Sequence, residues 1–541
     1  PAHGPATQAV LSGTYVTPPG TDIYARKLFP HLAMDPSVAA APPMKIVFSI
    51  EDHIKGWRKA REFTATGPSG LTFSHFIAAT YDPLLASFDA TMANIPYATG
   101  YSPIRWQSGT DVMIPKSTIS LRVDKLRTLL LLDPEFNQNN KILGRSLMRQ
   151  AEAHSQIPPE QYGSRKKHRA IEAALNKVLT QDIWRQKRQS GALCSNDAKS
   201  CYDRVVHSFA ILCMLRLGCP LGPILSMFIT LQKMQHFIGT AFGVSSTSFT
   251  GGDVPFQGLG QGNGAAPTGW AVVSAPIINM VRAAGFGATF ISALTSAVTT
   301  FVCYAFVDDT DLVHSPNDDL GVPEIVQEMQ DVIDTWEGGL RASGGALVPS
   351  KSYWYLIRFT FRNNRWQYDS IDDSPGSLTI RDVSGLNRVE LERLEVSAAR
   401  ETLGVFIAMD GNQDIQVQEL LQKAHRWADL VRSGRLTRTE AWFSLMHCMM
   451  KTLEYPLMAT SLSKTQCELN MRPLLDAGLP TLGINRHLTR SVVHGPRQFQ
   501  GLGIPDLWVL QGVLKLWVAI AHGDSQTITG CSLRAALSPY Y

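Results

Sequence analysis

Apolar and polar positions recur along the chain with two different periods. After about residue 411, Val417, Leu420, Leu421, Ala424, Trp427 and Val431 return every three or four residues and mark one face of a helix. Ala441, Trp442, Leu445, Met446, Met449 and Leu453 repeat that spacing and predict a second helix, its stripe turned to a core. Earlier, the runs are shorter and read as strands. ALCSND at 192–197 is a short apolar strand ending at Asp197. YAFVDDTDLVH at 304–314 reads as two short strands joined by a tight turn at an Asp-Asp pair. The segment Gly287–Val307 has the length of a membrane span, but its Thr and Ser residues and its run into Asp308 and Asp309 favour a buried helix followed by a buried strand. Residues 46–107 alternate helical patterns with turn signals such as TGPSG at 66–70, whereas residues 1–45, rich in Pro, Ala and Gly, read as an arm or linker. No internal repeat of solenoid or propeller period is visible.

Composition narrows the class. A chain of 541 residues suggests roughly three or four domain-sized units. With 44% apolar and 18% charged residues it is neither wholly disordered nor a coiled coil. The net charge of +4 does not announce nucleic acid by itself, yet residues 141–190 alone carry +7 and include RKKHR at 165–169. A basic stretch beside a catalytic candidate favours phosphate binding. The eight cysteines form no C-x-x-C pair, which argues against a zinc ribbon and suits an intracellular, reducing compartment, nucleus or cytoplasm. The start at Pro1 suggests a processed or excised piece, and it lacks the pattern of a signal peptide. Neither a nucleophile elbow nor a P-loop is present.

The candidate chemistry lies in acids far apart in sequence. Successive strand side chains point to opposite faces, so adjacent carboxylates converge only where a turn re-aims them. Asp308 at the tip is the expected direct metal ligand, with Asp309 in closer support. Asp197 is 111 positions earlier, and only folding could bring it to them. Like charges in a dry site repel unless a cation neutralises them, and carboxylate oxygens suit Mg²⁺. Two such ions would clamp the attacking and leaving oxygens of a phosphoryl displacement. GLGQGNGAAPTGW at 258–270 adds a glycine-dense turn that a ligand can approach closely.

In this order the three parts resemble the palm of a reverse transcriptase. Asp197 with Tyr202 matches the family's first motif. Gln261, Gly262 and Pro267 match the second, and Phe306-Val307-Asp308-Asp309 the third. Further segments resemble the family as well. They are IPPEQYGSRKKHR at 157–169, GGALVPSKSYW at 344–354 with Lys351 as the motif's lysine, and LGVFI at 403–407 as the primer-grip segment. IRWQSGTDVMIPK at 104–116, KLRTLLLL at 125–132 and GPRQFQGLGIPDL at 495–507 are similar to segments of non-LTR retrotransposon and group II intron-like enzymes. The chain departs from the pattern at QGNGAAP, where Asn263 and Gly264 replace Ser and Pro, and at Phe306, where Tyr is usual. TATGPSGL at 64–71 also lacks a basic residue before its turn.

The resemblance implies an α+β right-hand polymerase. Its parts would be an N-terminal arm at 1–45, an extension and fingers at 46–190, an antiparallel palm sheet with helices at 191–410 (205–258 partly finger and palm helices), and a helical thumb and C-terminal region at 411–541. It implies RNA-directed DNA synthesis, extending a DNA or RNA primer with dNTPs on an RNA template, as part of a retroelement protein. Neither a membrane nor a defined oligomer is implied. Asp197, Asp308 and Asp309 would hold two Mg²⁺ ions, with Mn²⁺ as a substitute, and Lys351 would be the general acid. Lys116, Arg127, Tyr202, Gln261 and Gly262 would contact the nucleotide, and Tyr202 would leave no room for a 2′-hydroxyl. Arg165, Leu403 and Gly404 would contact template or primer. Asp311, just past the tip, reads as a strand-end or supporting acid. The alternatives are an RNA-dependent RNA polymerase and a catalytically silent, RNA-binding palm protein.

Overall fold

The computed structural model describes residues 4–116, 122, 126–292, 295–316 and 320–540. Pro1 and Lys125, both named above, lie outside the described residues. The strands that frame the site are, in chain order, β1 (Ser108–Pro115), β2 (Leu126–Leu131), β3 (Gly191–Asp197), β4 (Gln235–Thr240) and β5 (Gly243–Val244). There follow β6 (Ala288–Ile291), β7 (Val298–Phe301), β8 (Cys303–Phe306), β9 (Asp309–His314) and β10 (Tyr353–Ile357).

The central sheet runs β10–β3–β9–β8, with the short strand Glu392–Arg393 beside β10. β3 lies between β9 and β10, antiparallel to both. Both faces of this sheet are covered, which is why its strands read as continuous apolar runs. Cys194, Leu312 and Trp354 pack with helices Ala266–Ala283 and Val322–Ala342 on one face. Leu193, Val313 and Tyr355 pack with helices Ala170–Lys187 and Ile528–Leu537 on the other. A second sheet, in the order β2–β1–β4–β5, stands beside the first and sets Arg127 opposite Ile114.

The segment 287–307 contains no helix among its described residues; Ala293 and Leu294 lie outside them. β6 and β7 form an antiparallel hairpin that leads into β8. Its polar residues explain the difference. Phe290 and Phe301 go inward while Thr289 and Thr300 meet across the strands, hydroxyl to hydroxyl at 2.9 Å, a period of two that a helix cannot satisfy. Among the described residues no helix is long and apolar enough to cross a membrane. The expected arm is also more structured than its composition suggests. Short helices at Pro5–Leu11 and Ile23–Leu28 bury Val10 and Leu28 in the main core, the second capped by the Asp22 carboxylate.

Both C-terminal stripes are helical and inward-facing. Val417, Leu420, Ala424 and Val431 are buried on helix Asp414–Ser433, and Ala441, Leu445, Met449 and Leu453 on the next helical stretch. That stretch is not one uniform helix, for Ser444–Met449 forms a π-helical turn within it. Apart from Val431, these side chains form a core separate from those around the central sheet.

Candidate active site

Three carboxylates meet at one end of the central sheet. β3 ends in Asp197, whose register partner on β9 is Asp309. β8 and β9 are joined through Val307 and Asp308, so Asp308 sits at the tip immediately beside this pair. Cross-strand partners have Cβ atoms about 5 Å apart. Two acids 112 positions apart in sequence are thereby direct neighbours. The turn requires Val307 to adopt a φ of +60°, an unusual conformation for a β-branched residue. Surrounding groups hold it there. The Gln161 side-chain oxygen accepts from Val307 N at 3.0 Å, and its amide nitrogen donates to Val307 O at 3.3 Å. Trp270 Nε1 donates to the same carbonyl at 2.5 Å. Gly163 lies against Val307 N so closely that a Cβ there would collide with it.

The electrostatics are those of crowded acid. Burial pushes the Asp308 carboxyl above the ordinary range, Asp197 adds to the effect, and a hydrogen bond from the Cys201 thiol and the charge of Arg127 oppose it. Asp309 is pushed up to about 6 by burial, then by Asp308, Asp311 and Asp197, against the opposing charge of Lys351. Lys351 Nζ lies 2.9 Å from Asp197 Oδ2. The donor chemistry fits divalent cations that bring much of their own shell as water and phosphate. Three hard oxygen donors lie on adjoining strand ends, and burial together with the neighbouring carboxylates makes two of them bind protons more tightly than usual. Among the described residues no group of three or more His, Cys, Asp or Glu side chains is arranged to hold a metal ion as it stands.

The remaining candidates surround this end of the sheet. Tyr202 is half-buried on the short helix Cys201–Arg204, close enough to Asp308 for that charge to raise its phenol together with the larger effect of burial. Gln261 O accepts from Leu130 N at 2.7 Å, which joins the glycine-dense loop to β2. Gly262 has φ +124°, and a Cβ there would run into Leu130 O, so only glycine serves. Asn263, one of the departures, is buried and folds the loop by donating to Leu259 O at 2.8 Å and accepting from Ala265 N at 3.0 Å. Arg127 is exposed on the outer strand β2, and Lys116 is exposed just past the end of β1. Arg127 acts on the charge of Asp308, and Lys116 on that of Asp203. A cavity of about 500 Å³ opens beside the acids; Asp197, Asp309 and Lys351 line one side, and Glu401, Thr402 and Leu403 another. Leu403 and Gly404 form the tip of the hairpin Arg400–Thr402/Val405–Ile407, with φ of +50° and +84°.

Arg165 is not drawn to the acids. Its guanidinium pairs with Glu152 at 2.6 and 2.9 Å and donates to the carbonyls of Pro158 and Gln161, which shapes the loop carrying Gln161. Asp311 pairs with the buried Lys177 at 2.9 Å, consistent with a supporting acid. Sequence reasoning missed Gln161, Trp270 and Lys177. The first lay in view within the Q-x-G-x-R segment. A tryptophan in an apolar helix and a lysine among other basic residues carried no distinguishing signal.

Residues 114–371 match the family model described as reverse transcriptase (RNA-dependent DNA polymerase). The match takes in Lys116, Arg127, the glycine-dense loop, all three acids and Lys351. The chain therefore carries a reverse transcriptase domain, and this domain supports RNA-directed DNA polymerase activity of the nucleotidyltransferase class. No curated protein matches the chain.

Proposed function

We propose that the chain extends a primer 3′-hydroxyl with deoxynucleoside triphosphates on an RNA template, as part of a retroelement protein of non-LTR or group II intron-like type. The observation that carries this reading is the register pairing of Asp197 with Asp309, with Asp308 at the adjoining tip, inside a reverse transcriptase domain. Two Mg²⁺ ions, with Mn²⁺ as a substitute, would be held by Asp197, Asp308 and Asp309 and supply charge neutralisation at the attacking and leaving oxygens. The chain's own groups position the reactants. Arg127, whose charge reaches Asp308, and Lys116, whose charge reaches Asp203, hold the triphosphate through charge-assisted bonds. Tyr202 lies under the sugar and excludes a 2′-hydroxyl, while Gln261 and Gly262 bear on the nucleotide and template base. Lys351 is within reach to protonate the departing pyrophosphate. The Leu403–Gly404 tip apposes the primer end through its backbone. In this reading the second sheet belongs to the fingers, the central sheet to the palm, and the helices after 411 to a thumb that grips the duplex by phosphates and shape. Arg165 supports the loop under the tip and bears on the template only through it. A reducing, intracellular setting suits the eight unpaired cysteines.

Primer extension with deoxyribonucleotides and ribonucleotides supplied separately tests the assignment. Wild type should use the deoxyribonucleotide pool, and Tyr202→Ala should gain ribonucleotide use. A wild-type preference for ribonucleotides would make the chain an RNA-dependent RNA polymerase instead.

A further inference from the structure

The cavity beside the acids has two walls, and one buried charge joins them. Lys177, midway along helix Ala170–Lys187, has a side chain only 1% exposed. Its Nζ donates to Asp311 Oδ2 on β9 and to Thr402 Oγ1 on the hairpin next to Leu403, each at 2.9 Å. Burial alone would weaken its hold on a proton, but Asp311 outweighs that and keeps the ammonium charged. Asp311 lies two residues beyond Asp309 on one strand, so both project to the same face, that of the cavity. The hairpin tip is tied from its other side as well, where Tyr455 Oη donates to Leu403 O at 2.7 Å.

A buried ion pair is a weak source of stability, because desolvation takes back most of the attraction, and an apolar pair of equal volume often serves as well or better. What an apolar pair cannot do is hold a hydroxyl on one element at a set distance from a charged strand on another. We infer that Lys177 is a positioning residue. By joining Asp311 to Thr402 it sets the gap between the acidic strand and the hairpin tip, and so fixes where the last sugar of a primer sits relative to Asp308 and Asp309. This rests on the reading of the chain as a primer-extending polymerase.

Steady-state extension with primer–template and dNTP varied separately tests it. Thr402→Val removes the hydroxyl at nearly constant volume and leaves Lys177 its carboxylate partner. It should raise KM for primer–template on the order of ten-fold, as expected for one charge-assisted hydrogen bond. The KM for dNTP should stay unchanged, the thermal midpoint should fall by a few degrees at most, as expected for one buried donor left without its acceptor, and Thr402→Ser should restore wild-type behaviour. Lys177→Met combined with Asp311→Leu should keep the thermal midpoint and show the same primer defect. A wild-type primer KM in Thr402→Val overturns the inference, as does a defect that persists in Thr402→Ser or merely follows a larger fall in the thermal midpoint. In those cases wild-type extension still stands. If the wild-type chain itself extends nothing, the reading beneath the inference fails and takes the inference with it.

Discussion

At the scale of single residues, the site is a set of conformations and charges that the chain tolerates in return for placement. Gly262 is one such position. Gly262→Ala would force a Cβ against Leu130 O at a φ that side chains rarely adopt. It should lower stability by about 1–3 kcal/mol and raise KM for dNTP, checked by thermal melting and extension kinetics. Asp309 is another. Its carboxyl titrates near 6 in the folded chain, against about 3.9 when unfolded. The folded state therefore binds this proton more tightly, and the stability so gained is complete below about pH 4 and lost as pH rises through 6. Asp309→Asn should raise the melting temperature of the metal-free protein at pH 8 and change it little at pH 4. The gain should be on the order of 1 kcal/mol after allowing for solvent screening of an exposed group. Melting in EDTA across that range measures it; equal effects at both pH values would contradict the assignment. The acidic pair that the structure sets beside Asp197 could be singled out in the sequence because its flanks are too apolar for an exposed hairpin. The groups that hold them were not, because Gln161 is 146 positions from the carbonyl it binds and Lys177 is 134 from its carboxylate.

At the scale of elements, the β8–β9 hairpin is stiff because its turn is bonded from two sides. Trp270→Phe keeps a ring in place and removes one donor to Val307 O, leaving Gln161 to hold the tip. Turnover should fall about ten-fold, the worth of one hydrogen bond to a strained turn, with the thermal midpoint shifted little. Unchanged turnover would mean that Gln161 suffices. The misreading of 287–307 belongs to this scale too. A long apolar run was weighed by its length, whereas Thr289 and Thr300 face each other across two short strands of a hairpin packed on one face. The C-terminal helices were readable because a 3.6-residue stripe needs no knowledge of distant partners. The π-helical turn at Ser444–Met449 left no such trace.

At the scale of the whole molecule, the central sheet and the C-terminal helices have separate cores, joined where Tyr455 meets Leu403. Leu445→Ala, in the C-terminal core, should cost about 2–5 kcal/mol and weaken primer–template binding more than dNTP use, read by calorimetry and by separate KM values. The order of motifs made the reverse transcriptase domain visible in the sequence. The packing of the N-terminal helices onto the body was not, since short capped helices carry too few residues to show a period. In the proposed function Asp197, Asp308 and Asp309 act together in template copying. Its most direct test is extension of a primer on an RNA template in Mg²⁺ by wild type and by Asp308→Ala, with primer–template binding measured alongside. Wild type should extend the primer, Asp308→Ala should not, and both should bind primer–template equally. Equal extension by both proteins, or binding without extension by the wild-type chain, would contradict that function.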